Sequence, residues 1–122
     1  MSSQMTNAQR AMQVWPALVL AARTQQVLSY EMVERMTGIP RFGMSKPLGR
    51  ILAYCQQNKL PLLTSIVIEQ STGLPADPTL NTPASDLEAE HRRVFIFDWF
   101  KHGCPALNEL QDAAEELETV QA

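Results

Sequence analysis

The sequence contains few of the residues on which zinc sites and disulfide scaffolds depend. It has two cysteines, Cys55 and Cys104, and two histidines, His91 and His102, among 122 residues. Zinc sites need ligand pairs about two to four residues apart, and disulfide frameworks need more cysteines than this. We therefore expect no metal or other cofactor and a reducing compartment, with Cys55 in the core.

A long apolar segment is also missing. The most apolar run extends from Val14 to Ala22, which is nine residues, whereas a helix needs about 20 to cross a bilayer. Pro16 interrupts this run, and Arg23 directly after it does not fit the cleavage site of a secretory signal peptide. We therefore expect a cytoplasmic protein that does not bind membranes.

The motifs of common enzyme classes are absent as well. The chain has no glycine-rich phosphate loop, no Ser-x-x-Lys pattern and no nucleotide-binding motif. Asp86, Glu88 and Glu90 could form paired carboxylates for acid-base chemistry, but helix capping and a solvated helix face explain them more simply. These absences argue against an enzyme.

Charge is unevenly distributed along the chain, although the net charge is only −3. Residues 1–60 hold seven basic and two acidic residues, a net charge of +5, whereas residues 61–122 hold three basic and eleven acidic residues, a net charge of −8. The amino-terminal half can therefore present a face that tolerates phosphate or an acidic partner. A chance difference between solvated helix faces explains the same distribution equally well.

Apolar spacing predicts a mostly helical α+β fold. Helices are predicted over residues 8–26, from Ser29 as N-cap to Gly38, and from Ser45 onward, where Leu48, Ile51, Leu52 and Cys55 form one apolar stripe. The β-branched segment Leu62 to Glu69 predicts a strand. Two helices joined by a tight connection and followed by a strand indicate a winged-helix-like helix-turn-helix.

The chain divides into three predicted segments. Residues 1–7 form a flexible N-terminus, residues 8–104 the winged-helix-like domain, and residues 105–122 an acidic amphipathic C-terminal helix. Hydrophobic residues make up 45% and charged residues 19% of the chain, as in ordinary globular domains. The helix-turn-helix is thus expected to have a short β element and flanking helices at both ends.

Three short motifs carry a family resemblance. They are Ser29-Tyr30-Glu31, Ser45-Lys46-Pro47-Leu48-Gly49 and Lys59-Leu60-Pro61. In this order they resemble the C-terminal winged-helix domain of the alkylguanine-DNA alkyltransferases and their catalytically inactive alkyltransferase-like relatives, over about residues 28 to 74. The resemblance places Ile66 where the family has its reactive cysteine, and Val67 and Ile68 where it has histidine and arginine. Because isoleucine cannot act as a nucleophile, the resemblance implies a protein that is not an enzyme.

The resemblance also implies DNA binding, with a regulatory or defence-related role. In the family, an arginine at the place of Lys46 inserts into the base stack, and the tyrosine that Tyr30 matches helps to rotate the target nucleotide. Lys46, Arg50 and Gln57 share the helix face opposite the apolar stripe, and Arg41 in the preceding turn extends this face. The predicted nucleic-acid-binding residues are Tyr30, Arg41, Lys46, Arg50 and Gln57, with residues 62–74 as the wing.

The alternative is a protein-interaction module. Examples are a small phage or mobile-element inhibitor of a host nucleic-acid machine, such as an anti-CRISPR protein, or a regulator that acts as a homodimer. The run VFIFDWF, residues 94–100, has four aromatic residues in seven positions, more than one buried helix stripe hides, although these rings can equally pack on the helix of Trp15. The predicted partner-binding residues are Phe97, Trp99, Phe100, Glu109, Glu115 and Glu116.

Overall fold

The computed structural model describes residues 5–73 and 84–113. Its helices are α1 (Asn7–Arg23), α2 (Tyr30–Thr37), α3 (Ser45–Gln57), α4 (Ala84–Ile96), α5 (Trp99–His102) and α6 (residues 107–113). A first 3-10 turn, Arg41–Gly43, precedes α3, and a second, Leu63–Ile66, precedes β2 (Val67–Ile68), which pairs with β1 (Leu28–Ser29). The predicted fold class, a mostly helical α+β fold, is confirmed.

A capping box fixes the start of α1. The Thr6 hydroxyl accepts a hydrogen bond from the backbone N–H of Gln9 at 3.1 Å, and the Gln9 side chain accepts one from the N–H of Thr6 at 2.8 Å. Two otherwise unpaired amides are thereby satisfied. The helix consequently begins at Asn7, so the flexible segment predicted over residues 1–7 extends one residue too far; residues 1–4 lie outside the described residues.

Helices α2 and α3 follow the predicted local signals. Ser29 caps α2 by accepting from the N–H of Met32 at 3.2 Å, and Gly38 ends the helix in the left-handed region, with φ of +77°. The apolar stripe of α3 is fully buried and packs on α1. The predicted ends of α2 and the predicted start of α3 at Ser45 are confirmed.

The strand predicted over Leu62 to Glu69 is mostly wrong. Leu63–Ile66 forms the second 3-10 turn, and only Val67–Ile68 is strand, in a parallel pair with Leu28–Ser29. The side chains of residues 63–66 are all buried, whereas the side chains of a half-buried strand alternate between buried and exposed. The Glu90 carboxylate also accepts a hydrogen bond from the N–H of Leu62 at 2.7 Å and so stabilises the start of the turn.

The wing predicted over residues 62–74 is not seen in the described part of that segment. A wing requires an antiparallel hairpin, whereas within residues 5–73 and 84–113 the sheet consists of one parallel two-stranded pair. Parallel strands need a long crossover, which α2 and α3 provide here. Residue 74 lies outside the described residues.

The C-terminal helices complete the core. Trp15 of α1 contacts Trp99 edge to face, with ring centroids 5.6 Å apart, and contacts Tyr54 of α3 in the same way at 5.7 Å. Leu110 and Ala113 of α6 are buried in the same core. The predicted C-terminal helix is thus seen as far as residue 113, and residues 114–122 lie outside the described residues. No helix in the described ranges has both the length and the apolar character needed to span a bilayer.

Candidate functional site

Arg41 and Tyr30 form a stacked pair beside the first 3-10 turn. The Arg41 guanidinium lies over the Tyr30 ring, 4.4 Å from its centroid, and forms a salt bridge with the Glu69 carboxylate. Tyr30 itself is buried. The predicted role of Tyr30 in direct contact with DNA is therefore not supported by its position, since its ring is covered and serves to orient Arg41.

Arg50 and Gln57 contact α6 rather than pointing freely into solvent. Arg50 Nη1 donates to the carbonyl oxygen of Gln111 at 2.9 Å and, more weakly, to that of Leu110 at 3.5 Å. Gln57 Nε2 donates to the carbonyl oxygen of Ala113 at 3.1 Å. We predicted that Lys46, Arg50 and Gln57 are presented outward together. This prediction did not take α6 into account, which packs on part of that face. Lys46 alone of the three is exposed without such a contact.

Arg10 joins this group from α1, and the sequence reasoning missed it. A Cβ atom added at Gly43 would lie 2.9 Å from Arg10 Nη1, so the guanidinium lies against the backbone of the first 3-10 turn. Arg10 and Arg50 line one cleft of about 510 Å³, together with the start of α1 and Gln111 of α6. No local signal reveals this proximity, because the two arginines are brought together only by the packing of α1 on α3.

The predictions from the sequence also missed Phe42. Its side chain is 91% exposed, between Arg41 and Gly43 at the tip of the first 3-10 turn. Single exposed apolar residues are common, but this ring stands next to Arg41 and four residues before Lys46. We use the name basic turn surface for Arg10, Arg41, Phe42, Lys46 and Arg50.

Comparison with known proteins gave no match. This holds for the family models, for the curated proteins and for the solved structures. The functional inferences for this chain therefore depend on its own residues.

The residue that the resemblance aligns with the alkyltransferase nucleophile lies in the core. Ile66 is fully buried in the second 3-10 turn. Burial raises the pKa of the Cys55 thiol to about 12, and burial together with Glu109 raises the pKa of the Cys104 thiol. A thiol with a raised pKa is a poor nucleophile at neutral pH because little thiolate is present.

His102, the histidine nearest to Cys104 in the sequence, contacts Tyr54. His102 Nε2 and the Tyr54 hydroxyl are 2.8 Å apart, within hydrogen-bond distance. His91 Nε2 lies 2.8 Å from the carbonyl oxygen of Ser65. Within residues 5–73 and 84–113, no three His, Cys, Asp or Glu side chains come close enough together to hold a metal ion.

The aromatic run, residues 94–100, divides between core and surface. Trp99 is buried, donates from Nε1 to the carbonyl oxygen of Val94 at 2.8 Å and packs on Phe97, which is half-buried. Its predicted role in partner binding therefore conflicts with its burial against Trp15. Phe100 is 56% exposed, and the Arg23 guanidinium lies 5.3 Å from the centroid of its ring.

Phe100 borders an apolar groove between α1 and α5. The groove has a volume of about 280 Å³, and Trp15, Val19, Leu20 and Trp99 are among the residues that line it. Of the predicted acidic contact residues, Glu109 is exposed, and its carboxylate accepts from the N–H of Ala106 at 2.8 Å. Glu115 and Glu116 lie outside the described residues.

Proposed function

We propose that this chain is a non-enzymatic nucleic-acid-binding protein that binds through its helix-turn-helix-like segment, α2 to α3. The observation that carries the proposal is the basic turn surface, to which α1, the first 3-10 turn and α3 contribute four cationic side chains. Arg10 lies against Gly43 of the turn and lines one cleft with Arg50. Lysine and arginine clusters on one face supply the affinity of proteins for the phosphate backbone. The element order helix, helix, tight turn, helix is the one from which DNA-binding domains of this type are built.

The individual residues support different parts of this role. Lys46 is exposed at the start of α3 and is available for a phosphate contact. Arg41 is held in place by the Tyr30 ring, but a phosphate has to compete with Glu69 for it. The exposed ring of Phe42 can stack on a base, as aromatic side chains do in proteins that bind single strands. We therefore expect weak, salt-dependent binding with a contribution from stacking.

The overall charge limits the affinity. The amino-terminal half is +5 and the carboxy-terminal half −8, so the carboxy-terminal half repels a polyanion. Neutralising three to four phosphates gives a slope of about −3 in a plot of log affinity against log salt. The role would be regulatory or defence-related and the location cytoplasmic, in keeping with the free thiols of Cys55 and Cys104.

A salt-dependent titration tests the proposal. Fluorescence anisotropy with labelled duplex and single-stranded oligonucleotides should give saturable binding in low salt, and Lys46→Glu should weaken it and reduce the salt slope by about 1. Lys101→Glu is the matched control, because Lys101 is exposed on α5 and is not part of the basic turn surface. If neither form of DNA binds, or if the two variants lose the same affinity, the proposal is wrong.

The apolar groove favours a second candidate, a protein-interaction module such as a phage or mobile-element inhibitor of a host nucleic-acid machine. Exposed Leu20 and Phe100 border the groove, and Arg23 lies over Phe100. The occupant that fits is a partner segment that inserts one apolar side chain flanked by acidic residues.

Calorimetric titration distinguishes this candidate from the first. A peptide with a central leucine between glutamates should bind, the same peptide with lysines should not, and Leu20→Glu should abolish the binding. Equal binding of the two peptides would rule out this occupant. Concentration-dependent self-association that is lost in Leu20→Glu would assign the groove to a second copy of the chain and also exclude it.

A further inference from the structure

We propose that the cleft between the start of α1, α3 and α6 binds a phosphomonoester group, carried either by a mononucleotide or by the end of a nucleic-acid strand. The cleft measures about 510 Å³, within the usual range of about 300–1,000 Å³ for small-molecule sites. Arg10 and Arg50 enter it from two different helices, and no carboxylate is among the described residues that line it. The site is therefore positive on more than one wall.

Arg10 supplies the first guanidinium of the cleft. Within residues 5–73 and 84–113, its side chain has no hydrogen-bond acceptor and no carboxylate at ion-pair distance. The side chain is nevertheless half-buried, and a half-buried charge gains more from an anionic partner than a fully solvated one. A guanidinium matches the geometry of phosphate oxygens, since it can donate two parallel hydrogen bonds.

Arg50 supplies a second guanidinium in a fixed orientation. Its Nη1 atom is held by the carbonyl oxygens of Leu110 and Gln111. An arginine has five N–H donors, so these contacts leave others for a ligand in the cleft. Because the orientation is set before the ligand arrives, less side-chain entropy is lost on binding.

Gly43 leaves the space in which the Arg10 guanidinium lies. A Cβ atom at this position would come within 2.9 Å of Arg10 Nη1. An alanine would therefore displace the end of the Arg10 side chain, while the backbone, which is not in the left-handed region, would accept it. Gly43→Ala thus changes the position of one guanidinium without changing the charge of the protein.

The charge of the site favours a monoester over a diester. A phosphomonoester carries a charge of about −1.5 to −2 at pH 7, whereas each phosphodiester of a nucleic-acid backbone carries one negative charge. Two guanidinium groups around one cleft match the charge of a phosphomonoester. The inference does not depend on the proposed contact of Lys46 with the DNA backbone, because Lys46 does not line the cleft.

Calorimetric titration with four probes tests the inference. The probes are inorganic phosphate, adenosine monophosphate, and one short oligonucleotide with either a 5′-phosphate or a 5′-hydroxyl. We expect saturable binding of the monophosphate and tighter binding of the phosphorylated than of the hydroxyl oligonucleotide. Arg10→Ala should weaken phosphate binding about tenfold or more, Arg10→Lys less, and Gly43→Ala should weaken it with the net charge unchanged.

Controls separate this site from general charge effects and from the DNA-binding proposal. Arg35→Ala removes an exposed arginine of α2 that does not line the cleft and should leave monophosphate binding unchanged. Melting curves of each variant confirm that it is folded. Equal losses in Arg10→Ala and Arg35→Ala, or identical affinities for the two oligonucleotides together with no monophosphate binding, would overturn the inference. Monophosphate binding without oligonucleotide binding would support this site and refute the proposed DNA contact through Lys46.

Discussion

Arg50 should contribute more to stability than any other cation of α3, because it holds α6 on the core. We consider Arg50→Met, which keeps much of the aliphatic length of the side chain and removes the guanidinium. The variant loses one well-formed charged hydrogen bond, of 2.9 Å to Gln111, and one long contact of 3.5 Å to Leu110. A hydrogen bond from a charged donor contributes about 1.5–3 kcal/mol, and partial exposure places this site at the low end.

The expected loss in the free energy of unfolding is therefore about 1–2 kcal/mol. In a domain of this size, such a loss lowers the melting temperature by about 3–8 °C. Lys46→Met is the matched control, since Lys46 is one turn earlier on the same helix and exposed. Its effect should stay within about 0.5 kcal/mol.

Urea unfolding followed by circular dichroism gives the two free energies. Hydrogen exchange locates the effect, and we expect faster exchange of the amides in residues 107–113 in Arg50→Met than in the wild type. Equal stability of the two variants, or unchanged exchange of α6 in Arg50→Met, would refute the view that Arg50 anchors this helix. The same result decides whether an Arg50 variant can be used to measure ligand binding at all.

Three further predictions concern the core. The pKa of Cys55 is raised from 9.0 to about 12 in the folded state, so the folded protein retains a proton that the unfolded chain releases. The free energy of unfolding should therefore fall as pH rises from about 9 towards 12. Cys55→Ala should flatten this decline in urea titrations, and an equally steep decline in the variant would contradict the assignment to Cys55. Native-state alkylation at pH 8 should label exposed Cys104 and leave Cys55 unlabelled until denaturant is added, as peptide mass spectrometry would show. Glu90→Ala removes the acceptor for the N–H of Leu62 and should lower the free energy of unfolding by about 1–3 kcal/mol. Glu90→Gln retains a carbonyl acceptor and should lower it less. Equal losses of the two variants in urea unfolding would show that the hydrogen bond is not the cause.

Features governed by neighbouring residues were predictable from the sequence. Ser29 as N-cap, Gly38 as the left-handed stop and the buried stripe of α3 all depend on interactions within one or two helical turns. Helical periodicity likewise identifies which face of each helix is apolar. These signals were sufficient for the fold class and for the limits of α2.

Features set by distant contacts were not predictable. The segment Leu62 to Ile66 has the composition of a strand, but Glu90 from α4 stabilises a 3-10 turn there. A helical wheel places Arg50 opposite the apolar stripe, yet it does not show that α6 covers that side. The proximity of Arg10 to Gly43 requires the packing of α1 on α3, so the basic turn surface was only partly visible in the sequence.

The edge-to-face contact of Trp15 and Trp99 gives the protein a built-in optical reporter. These are the two tryptophans of the chain, and they come from α1 and α5, with ring centroids 5.6 Å apart. Two indoles at this separation should couple electronically and give a near-ultraviolet dichroism signal that vanishes when the rings part. Stopped-flow measurement of that signal, or of the shift in indole emission, would time the moment at which α5 docks onto α1, without any added label.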